Sequence, residues 1–213
     1  MHYTLAPNLH FCSIGERSVF LDLSRDRYFL LESAGEDRFR RFIAGSANGV
    51  DIAWLAARNI VTSGRGKSAD SRSKFEAPQS SLVDRGLPLA PLAHTTRAML
   101  AQVAARRMVK RLQLADILAK TASIQRGGEP ENCLQVLRVA AAFHRARRYF
   151  PAIDQCLVRS VAMKQMLARQ GCKVDFVIGV TLPFSAHSWV QHGPVILTDP
   201  FDLVQAYKPI LVM

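Results

Sequence analysis

Acidic side chains are scarce in this 213-residue sequence: 17 Asp and Glu stand against 28 Lys and Arg, for a net charge of +11. The deficit belongs to one half. Residues 1–95 carry 12 basic and 10 acidic side chains, whereas residues 96–213 carry 16 and 7. The second half is therefore expected to attract an anionic partner, such as an acidic peptide, a nucleotide or an acidic protein. Aromatic residues are few at 8%, and no nucleic-acid motif is present, so nucleic acid is not an expected partner. The basic stripes Arg106-Arg107-Lys110-Arg111 and Arg145-Arg147-Arg148 read as solvated helix faces. No apolar run is long enough for a membrane span, and Met-His-Tyr-Thr-Leu-Ala-Pro at the start lacks the basic opening and apolar core of a signal peptide. The four cysteines, Cys12, Cys133, Cys156 and Cys172, lack the paired spacing of a zinc site and require no disulfide. A reduced, cytoplasmic setting without membrane or metal is expected. There is no P-loop or other nucleotide motif.

What is present is a globular balance of 49% hydrophobic and 21% charged residues, in a length that suits one or two domains. Tyr3 to Ile14 reads as one or two short strands broken at Pro7-Asn8. Ser18–Leu23 and Arg27–Leu31 flank the turn Ser24-Arg25-Asp26 and form the clearest hairpin signal of the first half. Helices are predicted over Ala34–Ile43, closed by Gly45, and over Val50–Val61, closed by Gly64, with Asp51 as a cap. Residues 63–81 are polar and without periodicity, a loop or inserted linker. A third short helix from Ser80 or Ser81 to Arg85, ended by Gly86, completes a first domain over residues 1–86. Pro88 and Pro91 mark a linker over 87–95.

In the second half, one long amphipathic helix is predicted over Thr96–Ser123, capped by Thr95 or Thr96, and a second over Glu131–Tyr149 after Gly127-Gly128. His144 in the latter reads as an ordinary surface or core histidine. A third helix runs from Ile153 to Gln170, begun after Pro151 and ended by Gly171. Cys156 thus falls in the first turn, where unpaired N–H groups and the helix dipole favour the nucleophilic thiolate. Taken alone, a cysteine on a helix is more often a small buried apolar residue. The chain downstream distinguishes this one. Lys173–Val180, Ala186–Gln191 and Val195–Asp199 read as strands, with His192-Gly193-Pro194 as the loop between the last two. Centred on Gly193, Gln191 faces Val195, Trp189 faces Leu197 and His187 faces Asp199, an imidazole beside a carboxylate. A slip of one residue would take that pair off a shared face. His192 is the rival histidine and Asp202 the rival acid. Tyr207–Met213 reads as a further edge strand.

The order Cys, His, Asp on helix, strand, strand resembles the transglutaminase-like, papain-related superfamily. More closely, Cys156-Leu-Val-Arg-Ser-Val-Ala-Met, Val177-Ile-Gly-Val and Pro183-Phe-Ser-Ala-His-Ser-Trp-Val resemble the leader peptidases of lasso-peptide biosynthesis, the B proteins, over about residues 96–213. That motif often carries Glu after the Trp-Val pair; here the position is Gln191. Phe20-Leu-Asp-Leu-Ser-Arg-Asp-Arg-Tyr-Phe-Leu-Leu resembles the hairpin of the precursor-peptide recognition element, first known from the small protein of pyrroloquinoline quinone biosynthesis. The resemblances imply an α+β chain: a winged-helix-like domain of a β-hairpin and three helices, then a papain/transglutaminase-like domain over 96–213 with helices packed on an antiparallel sheet. They imply catalytic Cys156, His187 and Asp199. They also imply a leader peptide added as a strand along Arg27, Tyr28, Phe29, Leu30 and Leu31. The implied activity is cysteine-peptidase removal of the leader during lasso-peptide maturation. The implied partners are the precursor peptide and an asparagine-synthetase-like cyclase, which would handle any ATP, with no cofactor on this chain. Two other readings use the same residues: acyl transfer to an amine, and a peptide-binding scaffold without chemistry.

Overall fold

In a computed structural model that describes residues 2–64, 75–124, 133–149 and 155–213, the chain is mixed α+β. It divides into two compact units, Met1–Ser73 and Lys74–Met213.

The first unit contains β1 (Tyr3–Leu5), β2 (Leu9–Ile14), β3 (Arg17–Asp22), β4 (Arg27–Leu30), α1 (Ser33–Ile43), α2 (Gly49–Ala57) and β5 (Val61–Ser63). Strands β2, β3 and β4 form an antiparallel meander. The turn at Ser24–Asp26 lies where the sequence places it: Oδ1 of Asp22 accepts the N–H groups of Ser24 and Arg25, and Asp26 takes φ +51°. The helix expected over Val50–Val61 instead stops at Ala57. Asn59 adopts φ +57°, the N–H of Ile60 returns to the carbonyl of Leu55, and the β-branched Val61-Thr62 pairs with β1 as a strand. The cap of α2 is Asn48 rather than Asp51. The Asn48 side chain accepts the Asp51 N–H at 2.9 Å and the Asp51 carboxylate accepts the Asn48 N–H at 3.3 Å, a capping box. The same carboxylate receives Arg38 and Arg41 from α1, fastening the two helices. The core of this unit gathers Leu9, Phe20, Leu31, Phe39, Leu55, Ile60 and Val61.

The second unit starts earlier than the sequence suggests. Ser80–Ser81 is a strand, β6, and Leu82–Arg85 is a turn rather than a third helix, so two helices belong to the first unit among the described residues. Then come α3 (Leu92–Arg111), α4 (Leu114–Ala122), α5 (Cys133–Ala146), α6 (Cys156–Arg169), β7 (Asp175–Thr181), β8 (Ser185–His192), β9 (Val195–Ile196), α7 (Phe201–Val204) and β10 (Lys208–Val212). Helix α3 occupies part of the expected linker. Thr95 and Thr96 lie inside it and do not cap it; their hydroxyls donate back to the carbonyls of Pro91 and Leu92. The single helix expected over Thr96–Ser123 is two, because Leu112 adopts extended backbone (φ −121°, ψ 151°). Pro151, Gly127, Gly128 and Glu131 lie outside the described residues.

The sheet of this unit has the order β10-β7-β8-β9-β6. Its neighbours are antiparallel except β6 and β9, which run parallel, so the expectation of a purely antiparallel sheet fails at that edge. Helix α6 packs against β7 and β8 on one side and α3, α4 and α5 on another. Nearly its whole length from Val158 to Ala168 is buried, which is why it reads as apolar on most faces. It ends in a Schellman turn: Gly171 takes φ +79°, its N–H bonds the carbonyl of Ala168, and the Cys172 N–H bonds that of Leu167. Among the described residues no helix is long and apolar enough to cross a membrane.

Candidate active site

Cys156 is the first residue of α6. Among the described residues no side chain caps this helix: the N-cap residue Gln155 makes no cap hydrogen bond to its first-turn N–H groups. The thiol is half-buried. Burial opposes its ionisation, but a hydrogen bond from His187 and the backbone N–H of Ser188 outweigh it and hold its pKa at about 7.

His187 lies on β8, opposite Gly179 of β7. Its Nε2 is 3.4 Å from Oδ2 of Asp199, and its imidazole also hydrogen-bonds the Cys156 side chain. Burial opposes the imidazolium, yet the interactions with Asp199 and Cys156 raise the pKa to about 9. Asp199 is 2% exposed. Burial disfavours its charge as well, but His187, Thr198 and Arg159 keep its pKa below the usual carboxylate value. The structure thus brings the three predicted side chains together, though not by the predicted ladder. Gln191 pairs with Ile196 and His192 with Val195, one residue away from the expected register. Regular pairing ends at Ile196, so Asp199 reaches the imidazole from a bend beyond the strand and not from a position across the ladder.

That bend is held by residues the sequence did not single out. The Ser81 hydroxyl donates to the carbonyl of Asp199 at 2.6 Å, and Oδ2 of Asp84 accepts the N–H of Phe201 at 2.8 Å. The Thr198 hydroxyl oxygen accepts the N–H of Val190 at 3.2 Å. On α6, Ser160 donates to the carbonyl of Ser188 at 2.9 Å, tying the histidine strand to the cysteine helix. Arg159 places Nη1 3.5 Å from Oδ1 of Asp199. A signal for these two was present: Arg159 and Ser160 are polar at i+3 and i+4 from Cys156, on the same side of the helix. Ser81 offered none, since its contact spans 118 residues of sequence.

The rivals stand elsewhere. His192 ends β8, and Asp202 is exposed on α7, where it accepts a hydrogen bond from Gln205. His144 is exposed on α5. Gln191 is fully buried: Oε1 accepts the Trp189 indole N–H at 2.9 Å, and Nε2 donates to the carbonyls of Glu76 and Gly193, both at 2.8 Å. In the first unit, β4 is an edge of its sheet. Arg27 lies over the Phe29 ring, which stacks on Phe20 at 4.9 Å, and Leu30 is exposed. Leu31 lies beyond the strand in the core, its carbonyl accepting from Arg17. Among the described residues no group of His, Cys, Asp and Glu is arranged to hold a metal ion.

The family model for the transglutaminase-like superfamily matches residues 99–212, a span that contains α6, β7, β8 and Asp199. No curated protein and no solved structure matches the chain significantly. Domains of this kind are consistent with cysteine-dependent peptidase or acyltransferase chemistry. With more than half of its length so matched, the chain belongs to the transglutaminase-like superfamily.

Proposed function

We propose that this protein is a cysteine endopeptidase that removes the leader from a ribosomally made precursor peptide during lasso-peptide maturation. The observation that carries the peptidase reading is the contact chain Cys156–His187–Asp199, with the thiol on the first residue of a helix whose N-cap residue, Gln155, makes no cap hydrogen bond. The Cys156 thiolate attacks the scissile carbonyl carbon, forming a carbon–sulfur bond. First-turn N–H groups of α6 receive the oxyanion. His187 passes its proton to the departing amine as the carbon–nitrogen bond breaks, leaving a thioester. His187 then accepts a proton from water as water attacks, the carbon–sulfur bond breaks, and the thiolate returns. Asp199 orients the imidazole throughout.

The leader-binding part of the proposal rests on β4, a sheet edge with a partly exposed face, to which an extended peptide can add as a strand. Arg27, Tyr28, Phe29 and Leu30 would line it. The freed core peptide would pass to an asparagine-synthetase-like cyclase, and any ATP requirement would be met there. The test is purified protein with precursor peptide, followed by mass spectrometry. Cys156→Ala is expected to abolish leader release; release at the wild-type rate would refute the peptidase reading. Transfer of the acyl group to an amine is the second reading, since the family match is consistent with it equally. Product mass separates the two, because hydrolysis adds one water and transfer adds the amine.

A further inference from the structure

The mechanism above leaves a buried charge unused. Arg159 is 5% exposed and stands three residues beyond Cys156 on α6. Its Nη1 lies 3.5 Å from one oxygen of Asp199, while Nε2 of His187 lies 3.4 Å from the other. The carboxylate is therefore bracketed, guanidinium on one side and imidazole on the other. The Nε of Arg159 is buried without a hydrogen-bond partner, so this guanidinium is not held by the full bidentate fork that normally accompanies a buried arginine. Its charge remains close to the groups around it, with little solvent to screen it.

We propose that Arg159 is a positioning residue that sets the pH window of the Cys156–His187 pair, anchoring Asp199 through one oxygen while its fixed charge favours the thiolate and disfavours the imidazolium. The inference rests on the assignment of Cys156 as nucleophile. A fixed cation lowers the pH at which the thiol ionises and also the pH at which the imidazolium loses its proton. Both edges of the reactive window therefore move to lower pH. The groups facing this cluster come from several elements. Arg147, just past the end of α5, donates to the Thr198 carbonyl at 3.4 Å and adds a second, more exposed positive charge. Cys156 lies on the same helix, His187 and Ser188 on β8, and Asp199 beyond β9; the Tyr207 ring lies 5.3 Å from that of His187. A purely mechanical clamp predicts something different. Losing it would free Asp199, weaken the support for the imidazolium, and move the two edges toward each other instead of together.

The test uses the full-length protein and needs no peptide substrate. Alkylation of Cys156 by iodoacetamide, in which the thiolate sulfur bonds the methylene carbon and iodide leaves, is followed against pH by mass spectrometry. The His187 ring protons are titrated by NMR, assigned with His187→Gln. In Arg159→Gln, both midpoints are expected to rise by about one pH unit, so that alkylation one unit below the wild-type midpoint slows by roughly tenfold. Arg159→Lys keeps the charge, and both midpoints are expected to stay within about 0.3 units of wild type. Unmoved midpoints in a folded Arg159→Gln, or a His187 midpoint that falls as that of Cys156 rises, would overturn the proposal. Should Arg159→Gln fail to fold, displaced midpoints in Arg159→Lys would do the same. Wild-type Cys156 alkylating no faster than Cys12 and Cys172 would instead defeat the peptidase reading, and this inference with it.

Discussion

The thiol of Cys156 and the imidazole of His187 exchange their ordinary order of proton affinity. The thiol ionises at about pH 7, and the imidazolium persists to about pH 9. The reactive ion pair gains its thiolate as pH rises through the first value and loses its imidazolium as pH passes the second. Peptide cleavage is therefore expected to follow a bell with limbs near 7 and 9, measured as kcat/KM against pH. Asp199→Asn removes the charge that sustains the imidazolium. Its alkaline limb should move to lower pH and its kcat should fall by about 10²–10⁴-fold. Gln191 makes a separate prediction. Its amide donates to two carbonyls and accepts from an indole, a set that a carboxylate cannot satisfy. Gln191→Glu should destabilise the second unit by about 1–3 kcal/mol, read from chemical denaturation.

Two elements carry the site, and they were not equally legible. Helix α6 could be read because its determinants are local: an apolar spacing, and a glycine free to take the left-handed conformation at Gly171. The hairpin could be located but not registered. Gly193 was taken as the centre, whereas the turn is shared between Gly193 and Pro194, and the ladder shifts by one residue. On a regular strand that shift would have separated His187 from Asp199. It does not, because the strand ends at Ile196 and the backbone turns back toward the imidazole. The opposite side of β8 is also tightly specified. A Cβ on Gly179, the ladder partner of His187, would lie 2.7 Å from the Trp189 ring and 2.9 Å from Cβ of Tyr207. Gly179→Ala is expected to cost about 1–3 kcal/mol by thermal unfolding and to lower cleavage as the histidine strand shifts.

At the scale of the whole molecule, the decisive observation is where the second unit begins. Residues 79–84 contribute a parallel strand, the Ser81 bond to the Asp199 carbonyl and the Asp84 bond to Phe201. A fragment spanning 74–213 should retain fast alkylation of Cys156 near neutral pH. A fragment spanning 87–213, cut at the boundary that glycine and proline suggest, should lose it, because the bend carrying Asp199 loses its anchors. The rate of iodoacetamide labelling on the two fragments checks this. Sequence by itself determined that a first part with a strand hairpin precedes a second part with long helices and a cysteine at a helix start. It also determined the first hairpin and the cysteine at a helix start, and it nominated His187 and Asp199 as candidate partners for that cysteine. All of these rest on interactions within a few residues or on the chemistry of single side chains. Only tertiary structure decided the register of the last hairpin, the capture of Ser80–Ser81 by a distant sheet, and the placing of Arg159 against Asp199. The physical reason is that each of these compares long-range pairings of similar local cost, and the packed core and its buried polar groups determine which one forms.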